Sequence, residues 1–200
     1  QQFGVKVTAR ARKNGSVLYR IAAPQRYTAC DLAIEGDYSQ AAFLAVLGCV
    51  AGGITVTGLA PDSRQGDKVI LDILKRCGGK IKTTSDGYAF ARSLLRATEI
   101  DLADCPDLGP VLFTLGCFCS GETVIHNAGR LRMKESDRIE AMQTELQKMG
   151  ARITVDGDDV HITGVALHAP EEPLSGHNDH RVVMALAVAA CAAGLPACIL

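Results

Sequence analysis

The strongest constraint on this chain is that it repeats itself. Three segments share one pattern: "GDYSQAAFLAVLGCVAGGITVTGL" from Gly36, "PDLGPVLFTLGCFCSGETVIHNAG" from Pro106, and "NDHRVVMALAVAACAAGLPACIL" from Asn178. Each sets an Asp near its start (Asp37, Asp107, Asp179), then an apolar stretch, then a Gly (Gly52, Gly121, Gly194) and a β-type run. The spacing of roughly 70 residues exceeds solenoid periods, so each copy is a small layered unit.

A second helical pattern follows in the first two copies, "QGDKVILDILKRCGGKI" and "KESDRIEAMQTELQKMGARI", and then a strand or hairpin. The unit therefore reads strand, buried helix, strand, amphipathic helix, strand, strand: an α/β fold of repeated βαβαββ units. The first helix of each copy is apolar almost all round, which predicts enclosure by its neighbours. The second carries a stripe of Ile139, Met142, Leu146 and Met149, with Glu140, Gln143, Gln147 and Lys148 outward. Gly78 and Gly150 stand where these helices should stop.

The third copy reaches Leu200 just after its buried helix and the start of its strand, so it reads as truncated. Uncovered apolar faces would make the size of the protein depend on its concentration. Residues 1–35 fit no copy. "GVKVTARARKNGSVLYRIA" predicts a hairpin turning at Asn14–Gly15 that closes a preceding unit. The expected division is 1–35 as the tail of a preceding lobe with its connection, and 36–200 as a second lobe. With no initiator Met, the chain reads as an excised piece of something larger.

Composition narrows the function. A net charge of −1, with 22% charged residues, argues against nucleic-acid binding through bulk electrostatics. No tryptophan and 4% aromatics argue against base-stacking platforms. Eight cysteines include no CxxC pair, which predicts reduced, mostly buried thiols in a cytoplasmic protein. His177 and His180 form an HxxH without a nearby third ligand, so no metal site is expected. The last nineteen residues are uncharged and long enough to consider as a membrane span. Gly194 and Pro196 interrupt them, which predicts a buried helix followed by a strand and no membrane.

"LRMKESDRIEAM", Leu131 to Met142, is the least ordinary stretch. Arg130, Arg132, Lys134 and Arg138 put four cations within nine residues at a helix start, where the dipole disfavours positive charge. Lys134 and Arg138 are spaced to share one helix face, and like charges there repel. A solvated helix start with Asp137 as N-cap and Glu140 closing a capping box accounts for those two acids. It does not account for the cations. A phosphate or carboxylate ligand would relieve both the repulsion and the dipole conflict, and would leave Glu135 available for proton transfer. On that account Lys134→Ala and Arg138→Ala should slightly stabilise the helix while removing binding.

"RLRMKESDRIEAMQTELQKMGA" resembles the signature segment of the 5-enolpyruvylshikimate-3-phosphate synthase (3-phosphoshikimate 1-carboxyvinyltransferase) family. "EGDYSQAAFLA", "RQGD", "CPDLGP" and "NDHRVVMALAVAA" resemble further family elements in the family's order, so the likeness spans Glu35 to Leu200. The resemblance implies two lobes, each an inside-out α/β barrel with helices inside and sheets outside. It implies transfer of the enolpyruvyl group of phosphoenolpyruvate to the 5-hydroxyl of shikimate 3-phosphate, with release of phosphate and no cofactor. It further implies that Asp107, with Lys134, accepts the hydroxyl proton, and that Glu135 adds and removes the methylene proton. Arg138 and Arg181 would clamp the phosphoenolpyruvate carboxylate, His180 would support them, and Arg132 and Arg130 occupy family positions without a fixed role. The family's first-lobe elements for shikimate 3-phosphate have no match here, so the missing lobe is an expected partner and this chain alone is expected to be inactive. Two alternatives stand beside this: an isolated, non-catalytic anion-binding lobe, and an enolpyruvyl transferase with another acceptor.

Overall fold

The computed structural model describes residues 2–200, which fall into two compact units, one ending at Ile34 and the other spanning Glu35–Leu200. The first is a hairpin in which β1 (Val7–Ala11) pairs antiparallel with β2 (Val17–Ile21). The expected turn forms, with Gly15 left-handed at φ 81° and Asn14 Oδ1 accepting from Ser16. It is a longer loop than a two-residue turn, because Arg12 N–H donates to Ser16 O and Gly15 N–H to Arg12 O. Both strands are largely exposed, and among their large apolar residues Tyr19 and Ile21 are the most so.

The second unit runs α1 (Tyr38–Val50), β3 (Ile54–Thr57), α2 (Ile70–Arg76), β4 (Lys80–Thr84), β5 (Gly87–Ala91), β6 (Glu99–Asp101), α3 (Gly109–Phe118), β7 (Glu122–His126), α4 (Arg138–Lys148), β8 (Arg152–Asp156), β9 (Asp159–Thr163) and α5 (His180–Ala193). One antiparallel sheet has the order β3-β5-β4. The other is mixed, in the order β6-β7-β9-β8, with β6 parallel to β7. Helices α1, α3 and α5 pack on one another, the first sheet lies against α1, and the second against α3. Helices thus fill the inside and sheets the outside. The stretch β6-α3-β7-α4-β8-β9 has the full βαβαββ order, while α1 is the first element of the second unit and has no strand of that unit ahead of it. Beside α5 the strand pairing shrinks to a parallel bridge between Leu174 and Ile199.

Enclosure is complete only for α3, whose residues from Gly109 to Cys117 are all buried. The apolar circumference of α1 and α5 does not bring burial on every side, contrary to the sequence expectation. Leu44 and Val183 are exposed, and a groove of about 450 Å³ lined by Phe43, Leu44, Met184 and Val188 runs between these helices. Neither amphipathic helix lines this groove: α4 lies against α3 and α5, and α2 against α1, each away from the seam.

The amphipathic helices stop where expected, at Gly78 (φ 89°) and Gly150 (φ 86°), conformations that a side chain would strain. Ile139, Met142, Leu146 and Met149 are buried as the stripe requires, and so, against the pattern, is Glu145. All eight cysteines are free; Cys49, Cys77, Cys105, Cys117 and Cys119 are buried, Cys30, Cys191 and Cys198 exposed. Burial pushes the Cys49 thiol up to about 11 and the Cys117 thiol to about 12, which keeps both protonated and unreactive near neutrality. Among the described residues no helix is long and apolar enough to cross a membrane.

Candidate active site

Four helix N-termini, those of α1, α3, α4 and α5, meet at one end of the second unit, tied together by side chains at or just ahead of those helix starts. Asp107 lies in a 3-10 turn, Pro106–Leu108, that runs directly into α3. Pro106 fits at this first turn because its missing N–H would be unpaired there anyway. A second 3-10 segment, Ala128–Met133, packs across the start of α3 through the fully buried Leu131. That approach depends on Gly109, where a Cβ would stand 2.6 Å from Leu131 Cδ1.

The packing brings Lys134, in extended conformation just past the 3-10 segment, to Asp107: Lys134 Nζ donates to Asp107 Oδ1 at 2.9 Å. Gly109→Ala should lower the unfolding free energy by about 1–2 kcal/mol, since overpacking outweighs the gain in helix propensity. It should also pull Lys134 from Asp107. Urea unfolding reads the first effect, and an unchanged midpoint would show that Leu131 yields freely.

α4 begins at Arg138, with Asp137 as N-cap accepting from the N–H groups of Ile139 and Glu140. The expected capping box is half made, since no hydrogen bond among the described residues returns from the Glu140 carboxylate. Lys134 precedes the helix, so it does not share a helical face with Arg138, as the spacing had suggested. Nor is Arg138 without a negative partner. It is 1% exposed, with Nε donating to Asp179 Oδ2 at 2.7 Å and Nη2 to Asp179 Oδ1 at 3.2 Å. Nη2 also donates to Glu135 Oε2 at 2.6 Å, and Nη1 to Asp107 Oδ1 at 3.3 Å. The dipole conflict is answered inside the protein by carboxylates.

Asp179 caps α5 by accepting from Arg181 N–H, and also accepts from Ser136 Oγ. Arg181, itself mostly buried, spans three helix starts: Nη1 donates to Asp107 O at 3.2 Å, Nη2 to Ser39 Oγ at 3.3 Å, and Nη2 lies 3.5 Å from Asp107 Oδ2. Ser39 opens α1 under the Asp37 cap. The cluster therefore joins Asp107, Lys134, Glu135, Arg138, Asp179 and Arg181.

Its electrostatics follow from that pairing. Burial alone would raise the Asp107 carboxyl, but the Lys134 hydrogen bond and the charges of Arg181, Lys134 and Arg138 outweigh it and hold the group below its usual value. Asp179 behaves alike: burial is outweighed by Arg138 and by the N–H of Arg181. Both pKa values are lowered on folding, so the stability these groups add is fully present above their unfolded value of about 3.9. It is lost as pH falls through the lower folded values. Urea midpoints should hold from neutrality to about pH 4 and then fall, less steeply in Asp179→Asn. A decline already under way between pH 7 and 5 would contradict this account of the two carboxylates.

The other sequence candidates stand apart. His180 is exposed, and its side chain makes no hydrogen bond among those of the described residues. Arg130 donates to Ala103 O and Arg132 to Asp137 Oδ2, each staying on the 3-10 segment's own surroundings. The first repeat, where Arg64 and Lys68 hold the positions equivalent to these cations, adds nothing to the cluster: Lys68 turns to Pro61 O and Arg64 is exposed. Sequence reasoning missed the buried Asp179–Arg138 pair and the part played by Ser136 and Ser39. An Asp at a helix start signals a cap, and nothing local signals a partner on a distant helix. Cys105 beside the cluster is no nucleophile, since burial pushes it up to about 11.

Residues 1–199 match the family described as EPSP synthase (3-phosphoshikimate 1-carboxyvinyltransferase). The chain is 41% identical over 191 residues to a 3-phosphoshikimate 1-carboxyvinyltransferase of Methanococcus maripaludis, covering 94% of this chain and 44% of that protein. A protein of the same name from Brachyspira hyodysenteriae is 43% identical over 172 residues, covering 82% of this chain and 40% of its own length. Among solved structures, EPSP synthase of Acinetobacter baumannii superposes with a TM-score of 0.79 at 22% identity, over 99% of this chain and 48% of that one. The enolpyruvyl transferase NikO of Streptomyces tendae gives 0.69 at 19% identity, over 99% and 45%. These structures share the α/β fold, and this chain spans less than half the length of the relatives it matches. With the match running the length of the chain, this protein belongs to the EPSP synthase (3-phosphoshikimate 1-carboxyvinyltransferase) family.

Proposed function

We propose that this chain is the phosphoenolpyruvate-side lobe of an enzyme that moves the enolpyruvyl group of phosphoenolpyruvate onto the 5-hydroxyl of shikimate 3-phosphate, releasing phosphate. The observation that carries the reading is the cluster of Lys134, Arg138 and Arg181 around Asp107 and Glu135 at converging helix N-termini. Residues 36–200 form that lobe, and 1–35 belong with the preceding one. The length that relatives have and this chain lacks supplies the other lobe and the shikimate 3-phosphate contacts, in the cytoplasm.

In this reading the hydroxyl oxygen of the acceptor attacks C2 of the enolpyruvyl group while C3 takes a proton from Glu135 acting in its carboxylic-acid form, giving a tetrahedral ketal. The ketal then expels phosphate, whose departing oxygen takes the hydroxyl proton from Asp107 and Lys134, as Glu135 takes a proton back from C3 and restores the double bond. Asp107, held ionised by its cations, accepts the hydroxyl proton in concert with Lys134. Lys134 also meets the substrate where phosphate and hydroxyl adjoin.

Arg181 and Arg138 hold the substrate carboxylate, a task that suits planar guanidinium groups. Arg138 is reached along the edge that Glu135 and Asp107 now occupy, so an arriving carboxylate displaces Glu135 and frees it for proton transfer. His180 lies exposed at the rim, able to approach phosphate, while Arg132 and Arg130 act through the segment that carries Lys134.

The binding half of this reading is tested on the chain alone. Titrating phosphoenolpyruvate should shift amide resonances of Asp107–Gly109 and Lys134–Arg138, and Lys134→Ala should abolish the shifts. Shifts that survive in Lys134→Ala, or that fall elsewhere, would place the anion outside this cluster.

A further inference from the structure

Helix α4 carries a buried carboxylate that the proposed chemistry does not use. Glu145 is 2% exposed, about two turns beyond Arg138 on the same face. Its Oε2 accepts from Ser175 N–H at 2.9 Å and pairs with Lys148 Nζ at 3.0 Å, and its Oε1 lies 3.1 Å from His177 Nε2. The loop it grips is an unusual one. His177 and Asn178, neither a glycine, both take left-handed backbone conformations (φ 50° and 53°), immediately before Asp179. Successive left-handed residues persist only where the surroundings enforce them. The enforcing contacts here are the Glu145 carboxylate, Ser175 Oγ accepting from His177 N–H, and Gly176 O accepting from Asp179 N–H.

We propose that Glu145 is a positioning residue for the anion site: it fixes the Ser175–Asn178 turn that delivers Asp179 to Arg138 and sets the start of α5, hence His180 and Arg181. α4 then holds one loop at two points, through Glu145 at Ser175 and His177 and through Arg138 at Asp179. The Ser175 N–H, the Lys148 charge and the His177 hydrogen bond outweigh burial and hold the Glu145 carboxyl below its usual value, which gives the grip its strength. Lys148 is the charge partner at the edge, and His177 and Ser175 carry the geometry. The part of this proposal that concerns substrate rests on the functional reading above; the part that concerns the turn does not.

The test uses the full chain with Glu145→Gln. Amide hydrogen exchange at His177, Asp179 and Arg181 should accelerate tenfold or more, with exchange in α1 and α3 little changed. Phosphoenolpyruvate affinity should fall at least tenfold. Leu146→Ala, a neighbouring core truncation, controls for general loss of stability and should not single out the turn. Should Glu145→Gln fold poorly, His177→Asn keeps a residue tolerant of left-handed backbone but loses the reach to Glu145, and should show the same local acceleration in smaller degree.

Exchange in the turn that stays at wild-type rates in both variants would overturn the proposal. So would acceleration no more local than that of Leu146→Ala. Local acceleration with unchanged affinity would overturn the link to the anion site. If the wild-type chain itself shows no phosphoenolpyruvate binding, the functional reading fails, while the exchange results still decide whether Glu145 sets the turn.

Discussion

Arg138→Ala will lower the unfolding free energy of this chain by about 3–5 kcal/mol, the range for breaking a buried ion pair from one side. Two effects oppose each other at this position, and their sizes decide the outcome. Removing a cation from a helix N-terminus relieves an unfavourable dipole interaction of about 0.3–1 kcal/mol. Against that, the Asp179 side chain is fully buried beside Arg138 and would keep only the Ser136 hydroxyl and the Arg181 N–H as donors. An orphaned buried charge costs far more than the dipole returns. The slight stabilisation expected from sequence for this substitution is therefore reversed.

The double variant Arg138→Met with Asp179→Leu should recover much of the loss, because it removes both charges together. Urea unfolding measures all three proteins. A change of under about 1 kcal/mol for Arg138→Ala, the scale of an exposed pair, would mean that solvent reaches Asp179.

Glu135→Gln is expected to act the opposite way, sparing the fold and removing the chemistry. Its side chain is half exposed, so losing the contact to Arg138 costs within about 1 kcal/mol after solvent screening. If Glu135 carries the proton to and from the methylene carbon, transfer by the assembled enzyme should drop by about 10²–10⁴-fold, the usual worth of a positioned acid–base group. The amide cannot take up or release that proton, yet it keeps the shape and one hydrogen-bonding oxygen. Phosphoenolpyruvate binding should persist in the variant, because the arginines that hold the carboxylate are untouched. A variant that binds and still turns over at near wild-type rate would move the proton role to another group.

The gap between these two substitutions marks how far sequence reasoning reaches. Periodicity identified the repeated helices and the amphipathic stripe of α4, because burial of an apolar face is written locally at fixed spacing. Glycines at 78 and 150 marked helix ends for the same local reason. Motif resemblance pointed to Asp107, Lys134, Glu135, Arg138 and Arg181, which the fold brings together although they come from three separate stretches.

What spacing misjudged was the company these residues keep. Lys134 and Arg138 lie four positions apart, yet Asp137 caps the helix between them, so the helical face they were to share does not exist. Arg138 looked unpaired because Asp179 lies on another helix, and a pairing across that separation leaves no local trace. Glu145 was invisible for a related reason: on a helical wheel it is one more polar residue. Its partners come from a loop that follows β9, at Ser175 and His177, too distant in the chain to leave a local trace. The open seam between α1 and α5 shows the converse, since apolar residues permit enclosure without supplying the neighbour that encloses them.

The decisive measurement is phosphate release from phosphoenolpyruvate and shikimate 3-phosphate, with this chain joined to the remaining portion of a full-length relative. Release that depends on both substrates, and that is lost in Glu135→Gln and in Asp107→Asn while both variants remain folded, is the predicted result. A folded, fully assembled protein that binds phosphoenolpyruvate but releases no phosphate would leave the family relationship standing and refute the transfer reaction proposed for this site.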